Sequence, residues 1–104
     1  MEKKIADKIK KVLKKENVVF VNTAGYYDGA VLRVKIAEFI ETSRFEGAII
    51  KRKTDDQKEN ESRQNIINVL MALEKNGMRP KYKIEQRYTA NAYGTFDSRY
   101  LVFR

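Results

Sequence analysis

Gly29-Ala30-Val31-Leu32-Arg33-Val34-Lys35-Ile36-Ala37-Glu38-Phe39-Ile40-Glu41-Thr42-Ser43-Arg44-Phe45 is the stretch on which the fold turns. Read as a strand, Leu32, Val34 and Ile36 alternate with Arg33 and Lys35, but the alternation fails at Ala37-Glu38-Phe39-Ile40. Read as a helix, Leu32, Ile36, Phe39 and Ile40 share one face, Asp28 supplies an N-cap and Gly47 a stop. The helix accounts for more of these residues and is the preferred reading over 29–45. It makes the element order α–βαβα–ββ, whereas a strand makes it α–βββ–α–ββ. Either order is a two-layer α+β sandwich, so the class does not depend on the choice.

The flanking segments are clearer. Residues 2–16 form an amphipathic helix in which Ile5, Ile9, Val12 and Leu13 recur at helical spacing, opposite a lysine-rich face. Asn17 can end it, and Val18-Val19-Phe20-Val21 within 17–22 is an unalternating apolar run, as in a strand buried on both faces. Ala48-Ile49-Ile50 leads into the basic triplet Lys51-Arg52-Lys53 as a strand over 48–53. In the preferred order, strands 17–22 and 48–53 become parallel neighbours joined by a right-handed crossover. A helix then runs from about 58 to 76 and stops at Asn76-Gly77, with Pro80 beyond. Lys81 to Tyr88 alternates cleanly, the uncharged loop Thr89–Phe96 follows, and Ser98 to Phe103 returns as the second arm of an antiparallel hairpin. The whole chain, 1–104, is one domain: an N-terminal helix over 1–16 and a core over 17–104.

Composition narrows the chemistry. The chain has no cysteine and no histidine, which excludes thiol catalysis, disulfides and His/Cys zinc sites. The net charge of +8 and pI near 9.7 favour polyanionic partners, nucleic acid first. No apolar run is long enough to span a membrane, and the charged start at Met1–Glu16 is unlike a signal peptide, so an intracellular, cytoplasmic location is expected.

The C-terminal hairpin is the strongest functional candidate. It sets Tyr82, Tyr88, Tyr93, Phe96, Tyr100 and Phe103 among Lys81, Lys83, Arg87, Arg99 and Arg104, with only Glu85 and Asp97 as acids. Cations neutralise phosphates and aromatic rings stack on bases. Nucleic acid, DNA or RNA, is therefore the expected partner. Lys81, Lys83, Arg87 and Arg99 are the expected phosphate contacts, supplemented by Lys51, Arg52 and Lys53, and Tyr88 and Tyr93 are expected to stack or wedge. No enzymatic role, metal or cofactor is expected: a restriction-type nuclease would need an Asp and Glu-x-Lys set, and no such set lies on an expected strand. The acids at Asp55, Asp56 and Glu59 are explained by the helix N-terminus they precede. A second reading makes the aromatic hairpin a protein interface, as in an inhibitor or accessory factor of a phage, plasmid or mobile element. A homodimer through 98–104, taken as an edge strand, is a further expectation.

In the helix reading, residues 17–104 run β-α-β-α-β-β, and Asn17-Val18-Val19-Phe20-Val21 with the hairpin 80–104 resembles the Alba family of small basic nucleic-acid-associated domains. The resemblance implies a long hairpin that touches nucleic acid, matched here by the general basic character of Lys81, Lys83, Arg87 and Arg99. It departs at Thr23–Gly29, where Alba domains carry a glycine–lysine loop and this chain has tyrosines and no cation. It departs again in the acidic segment after Lys53 and in the additional N-terminal helix.

Overall fold

Residues 32–43 are a strand. A computed structural model describes residues 1–18, 25–43 and 52–104. In it, the ambiguous stretch forms β2 (Leu32–Ser43) rather than the preferred helix. The reason lies in the broken alternation itself. A bulge between Lys35 and Ala37 inserts one residue, so Ile36 and Ala37 are both buried and the inward phase resumes one position later at Phe39. A second irregularity falls between Ile40 and Thr42. The β-branched residues Val34, Ile36, Ile40 and Thr42 suit this pleated surface.

The other described elements are α1 (Lys3–Lys15), β1 (Tyr26–Tyr27), α2 (Asp55–Lys75), β3 (Tyr82–Asn91) and β4 (Gly94–Phe103). The protein is thus α+β, with an N-terminal helix, an antiparallel four-stranded sheet in the order β1-β2-β4-β3, and a C-terminal hairpin. The β-α-β-α-β-β order that carried the Alba resemblance needs a helix where β2 lies. The expected strand over 17–22 and most of the one over 48–53, with their parallel pairing, fall outside the described residues. Arg52 and Lys53, at the end of the latter, are in coil.

Both helices have well-defined ends. Asn17, with φ of 58°, takes the left-handed conformation that closes α1, while Val18 N–H bonds back to the Leu13 carbonyl at 3.1 Å. Thr54 and Gln57 form a reciprocal capping box at the start of α2, three residues before the expected start. Gly77, with φ of 75°, closes α2, and Met78 N–H reaches the Leu73 carbonyl at 2.9 Å.

The helices share one side of the sheet. Ala6, Ile9, Val12 and Leu13 of α1 and Val69 and Leu73 of α2 pack with Leu32, Val34 and Ile36 of β2 and Leu101 and Phe103 of β4. Truncating any of the larger members to alanine would cost about 2–5 kcal/mol. The N-terminal half of α2 differs, burying Lys58 and Ser62 instead of apolar side chains.

The hairpin is longer and tighter than its sequence suggested. Thr89 pairs with Phe96, Ala90 with Thr95 and Asn91 with Gly94, leaving only Ala92 and Tyr93 as the turn. The Asn91 side chain accepts from the Tyr93 N–H at 2.8 Å. β4 lies between β2 and β3, so 98–104 is not an edge, and a homodimer cannot pair through it. The edge is β3.

Candidate nucleic-acid interface

Alternation along a strand sends neighbouring residues to opposite sides of a sheet. On β4, Leu101 and Phe103 meet the helices, and Asp97 and Arg99 point to the same side nearer the turn. Ser98, Tyr100 and Val102 point the other way, to a face that no described element covers. Arg33 of β2 and Lys83 of β3 both oppose Val102, Lys35 and Glu85 both oppose Tyr100, and Glu38 and Arg87 both oppose Ser98. Tyr26 of β1 stands opposite Arg33 and is 69% exposed. Val102 and Ser98 are nevertheless buried, Val102 between Arg33 and Lys83 and Ser98 between Glu38 and Arg87 on the neighbouring strands.

Tyr100 lies between two cations. Lys35 Nζ is 5.8 Å from its ring centroid and the Arg87 guanidinium carbon is 5.9 Å away, both within cation–π reach. Gly25, Tyr26, Arg33, Lys35, Arg87 and Tyr100 line a cleft of about 360 Å³. Beside it, at the end of the sheet, Lys81, Tyr82, Lys83, Val102 and Arg104 line a groove of about 230 Å³ with no acidic side chain among them.

The charges on this face are partly tied. Arg33 bonds Asp28 at 3.0 Å and approaches Glu85 at 3.4 Å, Lys35 donates to Glu38 at 2.6 Å, and Arg87 pairs with Glu85. Burial works against the charge on Lys35, yet its bond to Glu38 and its proximity to Tyr100 outweigh that and raise its pKa. Burial likewise opposes ionised Glu85, but Arg87 and Arg33 more than compensate and lower its pKa. Both stay charged at neutral pH. Among the described residues, Lys81 and Lys83 have no carboxylate partner. The arrangement can neutralise phosphates along a line from Lys81 to Lys35 and offer Tyr26 and Tyr100 to planar groups.

The helix side carries a different charge cluster. Asp97 has no exposed surface and accepts from Lys58 at 3.2 Å, Gln86 at 3.1 Å and Arg99 at 2.9 and 3.0 Å. Lys58 also binds Glu41, which pairs in turn with Arg52, and Arg99 reaches Glu59 at 3.3 Å. Burial alone would raise the Asp97 pKa, but hydrogen bonds from Arg99 and Lys58 hold it below its ordinary value. The Lys58 pKa is raised, chiefly by its bond to Glu41. Phe39 packs beneath Lys53, Lys58 and Arg99.

The expected contact residues are therefore distributed over different places. Lys81, Lys83 and Arg87 come together on the open face. Arg99 is turned to the helix side, with a side chain only 11% exposed and held by Asp97 and Glu59. Arg52 joins Glu41 on that side, and Lys53 pairs with Glu61. Tyr88 is exposed on the helix side, lining a cleft of about 430 Å³ with Arg52, Lys58 and Thr95. Tyr93 is exposed in the turn, and Lys51 lies outside the described residues.

The sequence reading missed Tyr26, Arg33, Lys35, Tyr100 and Arg104 as a group. The signal was the alternation of Arg33 and Lys35 with Leu32, Val34 and Ile36, which becomes visible as a face only once 32–43 is a strand. Comparison with protein-family models, curated proteins and solved structures gave no match to this chain. Among the described residues, no group of three acids, histidines or cysteines is placed to hold a metal, and no helix is long and apolar enough to cross a membrane.

Proposed function

We propose that this protein binds nucleic acid through the open face of its sheet. The observation that carries the reading is the convergence of Arg33, Lys35, Lys81, Lys83 and Arg87 from two strands around Tyr26 and Tyr100, on a face without a described covering layer. Lys81 and Lys83 bind phosphate first, because they have no carboxylate to release. Arg87 and Lys35 hold Tyr100 between them, so a base stacked on that ring gains cation–π support from the same side chains that meet its phosphates. A flat sheet surface suits single strands with unstacked bases better than a duplex groove. The net charge of +8 adds long-range attraction.

The test is fluorescence anisotropy with labelled single-stranded and duplex DNA and RNA, titrated at salt from about 50 to 200 mM. Changing Lys35, Lys83 and Arg87 together to Gln should weaken binding and lower the salt slope by about two, given roughly 0.7 per phosphate for a single strand. A charge-matched control changes Lys4, Lys8 and Lys11 on the exposed side of α1 and should keep most of the affinity. Equal losses in the two variants would reduce the interaction to net charge and overturn the sheet-face reading.

A further inference from the structure

β3 is an edge strand of ten residues, paired with β4 on one side and with nothing described on the other. A free edge presents a row of backbone donors and acceptors that can template another strand. Side chains beside this edge are also uncovered. Tyr82, Ile84 and Tyr88 project on the helix side yet are 47, 57 and 71% exposed, and none of them belongs to the buried core. On the opposite side the same strand alternates Lys83, Glu85 and Arg87, with Lys81 just before it.

We propose that the occupant of this edge is a second copy of the chain, paired antiparallel β3 to β3 about a two-fold axis at Gln86. Among the registers that oppose no like charges, this is the one that also opposes unlike charges, Glu85 to Arg87. With Gln86 opposite its own copy, Glu85 faces Arg87 twice, Ile84 faces Tyr88 twice, Lys83 faces Thr89 and Tyr82 faces Ala90. No like charges meet anywhere along the strand. Moving the axis to Glu85 sets Glu85 against itself and Lys83 against Arg87. An axis at Ile84 sets Lys81 against Arg87, and one at Arg87 sets Arg87 against itself. Opposed unlike charges and apolar–aromatic pairs each contribute roughly 0.2–1 kcal/mol, and opposed like charges destabilise. The apolar pairs extend the helix-side surface, so Ile84 and Tyr88 lose the exposure that otherwise stands unexplained. Pro80, which lacks an N–H, sits just before the strand and limits the pairing to the segment that follows it. A two-fold perpendicular to the sheet keeps each face on its own side. The dimer therefore joins two sheets into one and places both sets of Lys81, Lys83 and Arg87 on one continuous face. The pairing argument itself does not depend on nucleic-acid binding.

Sedimentation equilibrium across the micromolar range should show a monomer–dimer equilibrium for the natural chain. Glu85→Arg and Arg87→Glu, each alone, should be monomeric, since each sets like charges opposite one another at both symmetric positions. Mixing the two variants should restore a heterodimer, because the two arginines of one chain, at positions 85 and 87, then meet the two glutamates of the other. Circular dichroism of each variant confirms that it is folded. The absence of cysteine allows a second probe of register. Opposed Cα atoms stand about 4.5–5.5 Å apart, within the range of roughly 4.4–6.8 Å that a disulfide spans. Gln86→Cys should therefore oxidise to a covalent dimer. Lys83→Cys, whose copy lies about 20 Å away along the strand, should not. A natural chain that stays monomeric overturns the proposal. So does a dimer indifferent to both charge changes, or equal oxidation of the two cysteine variants.

Discussion

Changing Asp97 to Asn removes one charge and almost no volume, and it exposes how much the helix-side cluster contributes. All of the described partners of this carboxylate are donors: Lys58 and the Arg99 Nη2 on one oxygen, Gln86 and the Arg99 Nε on the other. An amide placed there turns its NH₂ towards donors whichever way it is oriented, so at least one oxygen's worth of bonds becomes a buried mismatch. Removing one partner of a buried ion pair costs about 3–5 kcal/mol. Lys58 retains Glu41 and Arg99 retains Glu59, which places the expected loss at the lower end, about 3 kcal/mol. For a domain of this size that is a fall in Tm of about 12–24 °C, out of a total stability of the order of 5–15 kcal/mol. Thermal and urea unfolding followed by circular dichroism at neutral pH measures it, and a cycle with Lys58→Met isolates the pairwise coupling. A loss below about 1 kcal/mol, the worth of an exposed ion pair, would refute the claim that Asp97 is buried among its partners.

Two further outcomes follow from the same geometry. Asp97 and Glu41 have folded-state pKa values below their ordinary 3.8 and 4.5, so the stability they contribute is present above those values and is lost as pH falls through the depressed ones. Tm should be flat from neutral pH down to about 5 and fall steeply below about 4, with a shallower fall in Asp97→Asn; identical acid profiles for the two proteins would sever the link to this carboxylate. Gly94 has φ of 145°, and a Cβ there would stand 2.0 Å from the Thr42 carbonyl oxygen, so Gly94→Ala should cost about 2–5 kcal/mol and loosen amide protection at the turn and the end of β2. A variant as stable as the natural chain would show that the two strands do not approach so closely.

The parts of the fold that the sequence displayed were those governed by local rules. Asn17, Gly77 and the run of acids before Lys58 marked helix ends through backbone conformation and dipole, and Lys81 to Tyr88 marked a strand by unbroken alternation. Residues 32–43 hid their strand because one inserted residue shifts the phase, and a phase-shifted period of two imitates one face of a helix at Leu32, Ile36, Phe39 and Ile40. The hairpin tip was hidden for a related reason. Thr89, Ala90, Thr95 and Phe96 carry no charge and flank the turn residues, so they read as loop, yet they pair as strand. The cations Lys81, Lys83 and Arg87 were legible as a group by spacing alone. Arg99 was not separable from them by residue type, since only its neighbour Asp97 and the distant Glu59 and Lys58 reveal that it is already bound.

β4 explains why the cations of one basic hairpin fall into two different environments. Its inward residues Asp97 and Arg99 extend the core with a charge cluster where apolar side chains run out beyond Leu101. Its outward residues Ser98, Tyr100 and Val102 stand between Arg33, Lys35 and Glu38 of β2 and Lys83, Glu85 and Arg87 of β3. Because successive side chains cannot share a face, the cation count of the hairpin divides into a structural part, neutralised by Asp97 and Glu59, and a part on the open face. Arg99 belongs to the first and Lys81, Lys83 and Arg87 to the second. The charge on which the proposed binding rests is therefore that of the open face, not that of the hairpin sequence. Arg33 and Lys35 augment that face from β2, a strand that sequence reading placed in a helix. The inner cluster also fixes where the outer face stands. Lys58 anchors Asp97 to α2, Asp97 sets β4, and β4 presents Tyr100 between Lys35 and Arg87.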